Sequence, residues 1–90
     1  MDIDIARTVL GLQDRNLRRL KDARFGYKGY EYRVNYEGGF SSYVAIDRRK
    51  SGSRYFKYFG GFSAYGCATA QEAYNKAIDI VMEKERSYNQ

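Results

Sequence analysis

Tyr30-Glu31-Tyr32-Arg33-Val34-Asn35-Tyr36 is the stretch that decides the fold. Tyr30, Tyr32, Val34 and Tyr36 recur at every second position with Glu31, Arg33 and Asn35 between them, the period of a strand with one buried and one wet face. Glu37-Gly38-Gly39 then turns the chain, because glycine reaches the backbone conformations that a tight turn needs. From Phe40 to Arg49 the alternation resumes, with Phe40, Val44 and Ile46 on one face and Tyr43, Ala45 and Asp47 on the other. Arg48-Arg49-Lys50-Ser51-Gly52-Ser53 reads as a basic turn. Arg54-Tyr55-Phe56-Lys57-Tyr58-Phe59 reads as a third strand ended by Gly60-Gly61, and its two faces are too alike in polarity to say which is buried.

Downstream, Thr69 followed by Glu72 forms a capping box, and Ala70, Ala73, Tyr74, Ala77, Ile78 and Val81 repeat at helical spacing. The spacing predicts a helix over 69–86 whose apolar stripe is core. Upstream, Ile5, Ala6, Val9, Leu10, Leu17 and Leu20 fall near the spacing of one helical face, with Asp2 or Asp4 as N-cap and basic residues towards the end. Gly11 and Asp14 weaken the middle, so residues 1–24 read as one helix with a soft point or as two short ones. The expected fold is α+β, one domain over 1–90. It comprises an N-terminal helical segment (1–24), a three-stranded antiparallel sheet (29–62) and a C-terminal helix (69–86) in the order α-β-β-β-α. Both helices cover one sheet face and leave the other open. The first helix exceeds what such a sheet needs and suits a homodimer contact.

Composition narrows the chemistry. In 90 residues there is no histidine, no proline, no tryptophan and a single cysteine, Cys67. A chain this short buries about 60–65% of its unfolded surface and encloses no large substrate pocket. Without histidine it lacks the usual general base and the commonest metal ligand, so no enzyme activity, no metal and no cofactor are expected. One cysteine makes no internal disulfide, and Met1-Asp2-Ile3-Asp4-Ile5 is unlike a secretory leader, which points to the cytoplasm. The longest uncharged run, Tyr58 to Gln71, is too short and too rich in glycine for a membrane span.

What remains is a binding module, and the charges locate its surface. The net charge is +5, and residues 25–66 alone carry seven basic against three acidic side chains. The same stretch holds eight of the ten tyrosines and all five phenylalanines, so excess charge and aromatics coincide on the expected sheet. Arg33, Tyr43, Arg48, Arg49, Lys50, Arg54 and Lys57 are the candidate contacts. Their cations neutralise phosphates and release counterions, and interleaved rings offer flat surfaces to bases. A merely solubilising surface is the plain alternative for the same charges.

Four segments carry a resemblance: Tyr32-Arg33-Val34, Tyr43-Val44-Ala45-Ile46, Phe59-Gly60-Gly61-Phe62 and Thr69-Ala70-Gln71-Glu72-Ala73-Tyr74-Asn75-Lys76-Ala77. Together, over residues 30–80, the chain resembles the ethylene-response-factor type DNA-binding domain and the arm-binding domain of phage integrases. The resemblance implies a three-stranded sheet laid in the major groove of double-stranded DNA. Arg33 would lie on the DNA face of the first strand, Tyr43 would take the place of the family's aromatic on the second, and Arg54 that of the basic residue entering the third. A phage-encoded chain would act in the cytoplasm of its bacterial host.

Two other readings stand beside this one. The element order is also similar to a double-stranded RNA binding domain, although Thr69-Ala70-Gln71-Glu72 lacks the lysine pair that such a domain places at the start of its helix. The abundance of tyrosine also suits a small phage inhibitor of a host enzyme or defence complex, of anti-restriction or anti-CRISPR type. Tyr65, Phe62 and Tyr36 would then be the protein contacts, and Phe62 is equally a candidate for the core.

Overall fold

The computed structural model describes residues 3–4, 16–38 and 42–88. A single antiparallel meander runs β1 (Ile3–Asp4), β2 (Ala23–Tyr27), β3 (Tyr30–Glu37), β4 (Tyr43–Lys50) and β5 (Lys57–Ser63), in that spatial order. One helix, α1 (Ala70–Tyr88), follows. The architecture is α+β with the C-terminal helix expected from the capping box. Thr69 caps it, its side-chain oxygen accepting from the Glu72 N–H at 3.1 Å and its carbonyl from the Ala73 N–H at 3.1 Å.

The strand period of residues 30–36 sorts the faces as anticipated. Tyr32 and Val34 are fully buried, Tyr30 and Tyr36 pack against the core, and Val44 and Ile46 join them from β4. From the helix come Ala70, Ala73, Tyr74, Ala77, Ile78 and Val81. The centre is aromatic. Phe25 stacks on Tyr32 with centroids 5.1 Å apart and meets Tyr74 edge-on at 6.1 Å, while Phe59 meets Tyr32 edge-on at 5.4 Å. Each such ring contributes about 1.5–3 kcal/mol by burial. The Tyr74 hydroxyl donates to the Arg24 carbonyl at 2.9 Å, which fixes the helix across β2.

Four expectations are corrected. The sheet has a further full strand, β2, because Ala23-Arg24-Phe25-Gly26-Tyr27 alternates buried and half-buried positions and pairs with β3. Lys28 and Gly29, at φ of 51° and 84°, join them in the two-residue turn whose positive φ matches strand twist. No α-helix precedes the sheet among the described residues. Ile3–Asp4 is extended and pairs with Tyr27 and Gly26, and Leu17–Arg19 is a single 3-10 turn. The turn is capped by Asn16 and pinned where the Tyr36 N–H donates to the Leu20 carbonyl at 2.7 Å. The remainder of the expected helix, with its proposed homodimer contact, lies outside the described residues, as does Phe40.

The Arg48-Arg49-Lys50 segment is the end of β4, not a turn: it pairs with Tyr32, Glu31 and Tyr30. The turn is 51–56, so Arg54, Tyr55 and Phe56 precede β5. Gly60-Gly61 lies inside β5 instead of ending it. Glycine is needed there because a Cβ on Gly61 would come within 2.7 Å of the Tyr43 ring and strike the Val44 carbonyl. A bulge between Ile46 and Asp47 lets both Phe59 and Gly60 face the helix side while Tyr58 turns to the other.

No helix among the described residues is long and apolar enough to cross a membrane.

Candidate functional site

The face of the sheet away from the helix carries Arg24, Glu31, Arg33, Asp47 and Arg49, as strand alternation requires. Cross-strand neighbours are also charge partners. Arg33 Nη2 donates to Asp47 Oδ2 at 3.0 Å, and Arg49 Nε donates to Glu31 Oε1 at 2.7 Å. The other Glu31 oxygen accepts from Arg24 Nη1 at 3.2 Å, and Arg24 Nε donates to Asp22 Oδ1 at 2.9 Å. Burial alone would raise the Glu31 carboxyl, but hydrogen bonds from Arg49 and Arg24 outweigh it and hold the group below the usual glutamate value. The hydrogen bond to Asp22 raises the Arg24 guanidinium above its ordinary value.

Phe56 folds back from the 51–56 turn onto this cluster. Its ring centroid lies 4.1 Å from the Arg33 guanidinium carbon, 4.5 Å from that of Arg49 and 5.3 Å from that of Arg24. Three guanidiniums, balanced by three carboxylates, thus surround one ring, and the Arg33 Nε is buried without a hydrogen-bond partner. This face is partly covered and close to neutral. Beyond it, the Tyr43 and Tyr58 hydroxyls meet at 2.5 Å, and that hydrogen bond raises the Tyr58 hydroxyl's pKa.

Arg48 points the opposite way, to the helix side. Its Nη1 donates at 2.9 Å to Glu85 Oε1, which also accepts from the Tyr32 hydroxyl at 3.1 Å. The Glu85 side chain is only 12% exposed. Burial pushes the Tyr32 hydroxyl up to about 12. The Arg48 guanidinium carbon lies 4.3 Å from the Tyr30 ring centroid and 4.8 Å from that of Phe59.

Where β4 ends and β5 begins, side chains from both faces meet at one cleft of about 320 Å³. Arg48, Arg49, Lys50 and Lys57 supply four cations. Tyr30, Tyr55 and Tyr58 supply rings, and Ser53 a hydroxyl. No carboxylate of a described residue lines it. Two turn contacts shape the wall, the Ser53 N–H donating to the Lys50 carbonyl at 2.8 Å and the Ser51 N–H to the Gly29 carbonyl at 3.1 Å. Gly52, at φ of 90°, permits the reversal. Tyr55 is 71% and Tyr58 63% exposed.

The structure therefore divides the sequence-derived residues. Arg48, Arg49, Lys50 and Lys57 come together, with Arg54 exposed in the adjoining turn. Arg33 and Tyr43 do not line the cleft but adjoin it on the sheet face, Arg33 sharing the Phe56 ring with Arg49 and Tyr43 hydrogen-bonded to Tyr58. Lys50, Arg54 and Lys57 form no ion pair with any described residue. Of the alternative protein contacts, Phe62 is a buried core residue and Tyr36 is half-buried with its hydroxyl donating to Ser42 Oγ at 3.2 Å. Tyr65 alone is well exposed, at 75%. Tyr55 and Tyr58 were missed as site residues although they interleave with Lys57 and Arg54 in sequence, which was the available signal. Assigning 54–59 to a strand hid that signal. Cys67 is half-buried, and burial raises its thiol pKa.

Comparison of the chain with protein-family models, with curated proteins and with solved structures found no match.

Proposed function

We propose that this chain is a small non-enzymatic nucleic-acid-binding module whose contact surface is the β4–β5 hairpin end. The observation that carries the reading is the cleft in which Lys50 and Lys57, paired with no carboxylate of a described residue, converge with exposed tyrosines beside the carboxylate-bonded Arg48 and Arg49. Phosphate neutralisation needs cations that are not already spent on carboxylates, and among the described residues Lys50, Arg54 and Lys57 meet that condition. The sheet face suits a major-groove contact less well, because Arg33 and Arg49 are held by Asp47 and Glu31 beneath Phe56. Double-stranded DNA, the partner favoured by the family resemblance, thus has the hairpin end as its best contact here. The start of α1 offers Thr69 and Glu72 and does not favour double-stranded RNA.

The test is a titration of labelled DNA at several salt concentrations. Affinity should fall as salt rises, and Lys57→Glu should weaken all sequences alike and reduce the log-log salt slope by about one. Binding that is undetectable at low salt, or indifferent to salt, refutes the reading. The exposure of Tyr65 supports a second reading, a protein partner held at the β5–α1 loop. Its mark is a salt-tolerant complex lost on Tyr65→Ala.

A further inference from the structure

We infer that the hairpin cleft seats unpaired nucleotides, so that the chain prefers single strands or overhangs to continuous duplex. The inference rests on the nucleic-acid reading above and specifies its substrate.

The rings of the chain differ in whether a cation already covers them. Phe56 carries three guanidiniums, Phe59 carries Arg48 and Lys84, Phe62 carries Lys76, Tyr30 carries Arg48 and Tyr27 carries Lys28. Tyr55 and Tyr58 carry none, and they are the two exposed rings of the cleft. An aromatic side chain left bare beside unpaired lysines is suited to receive the π-face of a base. Inside a duplex those faces are covered by neighbouring base pairs. Only an unpaired or terminal nucleotide presents one. The volume agrees, since about 320 Å³ is at the small end of ligand clefts and suits a nucleotide, not the width of a helix. Lys50 and Lys57 flank these rings and provide the phosphate contacts.

Fluorescence anisotropy with a short oligothymidylate, a covalently closed duplex of matching length and inorganic polyphosphate tests the inference. The single strand should bind at least tenfold more tightly than the closed duplex. Tyr55→Ala should weaken the single strand by about 5- to 150-fold and the duplex by a smaller factor. Tyr58→Phe, which loses the hydrogen bond to Tyr43 but keeps the ring, should retain single-strand binding. Circular dichroism of each variant establishes that it is folded. Equal affinity for single strand and duplex, or a Tyr55→Ala variant with unchanged single-strand affinity, overturns the inference while leaving the nucleic-acid reading intact. Binding of polyphosphate as tight as that of the oligonucleotide, or no binding of either nucleic acid, overturns both.

Discussion

Replacing Glu85 by alanine separates stability from binding, because the carboxylate serves the core and restrains the site at once. Its Oε1 accepts from the Tyr32 hydroxyl at 3.1 Å and from Arg48 Nη1 at 2.9 Å. Arg48 is 33% exposed and Glu85 12%, so the pair stands between an exposed bridge, worth about 0–1 kcal/mol, and a buried one whose breakage costs about 3–5 kcal/mol. Stranding the hydroxyl of the fully buried Tyr32 adds about 1–3 kcal/mol, part of which Arg48 recovers by staying beside it. A net loss of about 2–4 kcal/mol is expected. At about 4–8 °C per kcal/mol for a domain of this size, thermal unfolding should fall by roughly 8–32 °C. Binding moves the other way. Glu85→Ala removes a negative charge and frees a guanidinium that lines the cleft, so oligonucleotide affinity measured well below the melting transition should rise. One added phosphate contact steepens the log-log salt slope by about 0.7 on a single strand. Calorimetric melting and anisotropy on the same samples read both effects. An unchanged melting temperature refutes the assignment of Glu85 to the core, and a lower melting temperature without tighter binding refutes a role for Arg48 in the cleft.

Two pH effects follow from the same network. The Tyr32 hydroxyl titrates at about 12 in the folded chain against an ordinary 10.0, so the folded state holds its proton longer. Its contribution is complete below pH 10 and is lost as pH rises towards 12. That loss amounts to about 3 kcal/mol, and Tyr32→Phe should remove this component of alkaline unfolding in melting curves taken across that range. The Glu31 carboxyl behaves oppositely, because its folded value lies below the ordinary 4.5. The stability it adds is complete above that value and disappears as pH falls through the lowered one. Glu31→Gln should therefore flatten the acid limb of a melting-temperature profile, and an identical acid limb in the variant contradicts the bridge to Arg24 and Arg49.

The parts of the fold legible in sequence were those with a long, unbroken period. Tyr30 to Tyr36 and Ala70 to Val81 each repeat a burial pattern over several residues, and the structure buries the sides they specify. Strand β2 escaped because its alternation spans only five residues and because Leu17 and Leu20 imitate a helical stripe, though Leu20 is buried just after a 3-10 turn. The glycines of β5 misled for a related reason. Gly60-Gly61 looks like a terminator, yet its missing side chains make room for the Tyr43 ring and the Lys84 side chain. Such close approaches depend on residues distant in sequence, and no local pattern reveals them.

The candidate site shows why basic residues in sequence need a topological reading. A cation on a central strand has neighbours across the ladder at about 4.5–5.5 Å, near enough for a carboxylate there to neutralise it. Arg33 faces Asp47, and Arg49 faces Glu31, in register. Those arginines consequently stiffen the sheet and have little charge left for a ligand. Arg54 lies in a turn, where no ladder neighbour is supplied, and Lys50 and Lys57 close the ends of the two strands that the turn connects. Lys50 faces Tyr30 and Lys57 faces Arg48, so neither meets a carboxylate across the ladder. The uncompensated charge of the region is thereby concentrated at the hairpin end, beside the two cleft tyrosines that carry no cation. On this argument a charge reversal at Lys57 should cost more affinity than one at Arg33, even though Arg33 occupies the position that the family resemblance assigns to the DNA-facing strand.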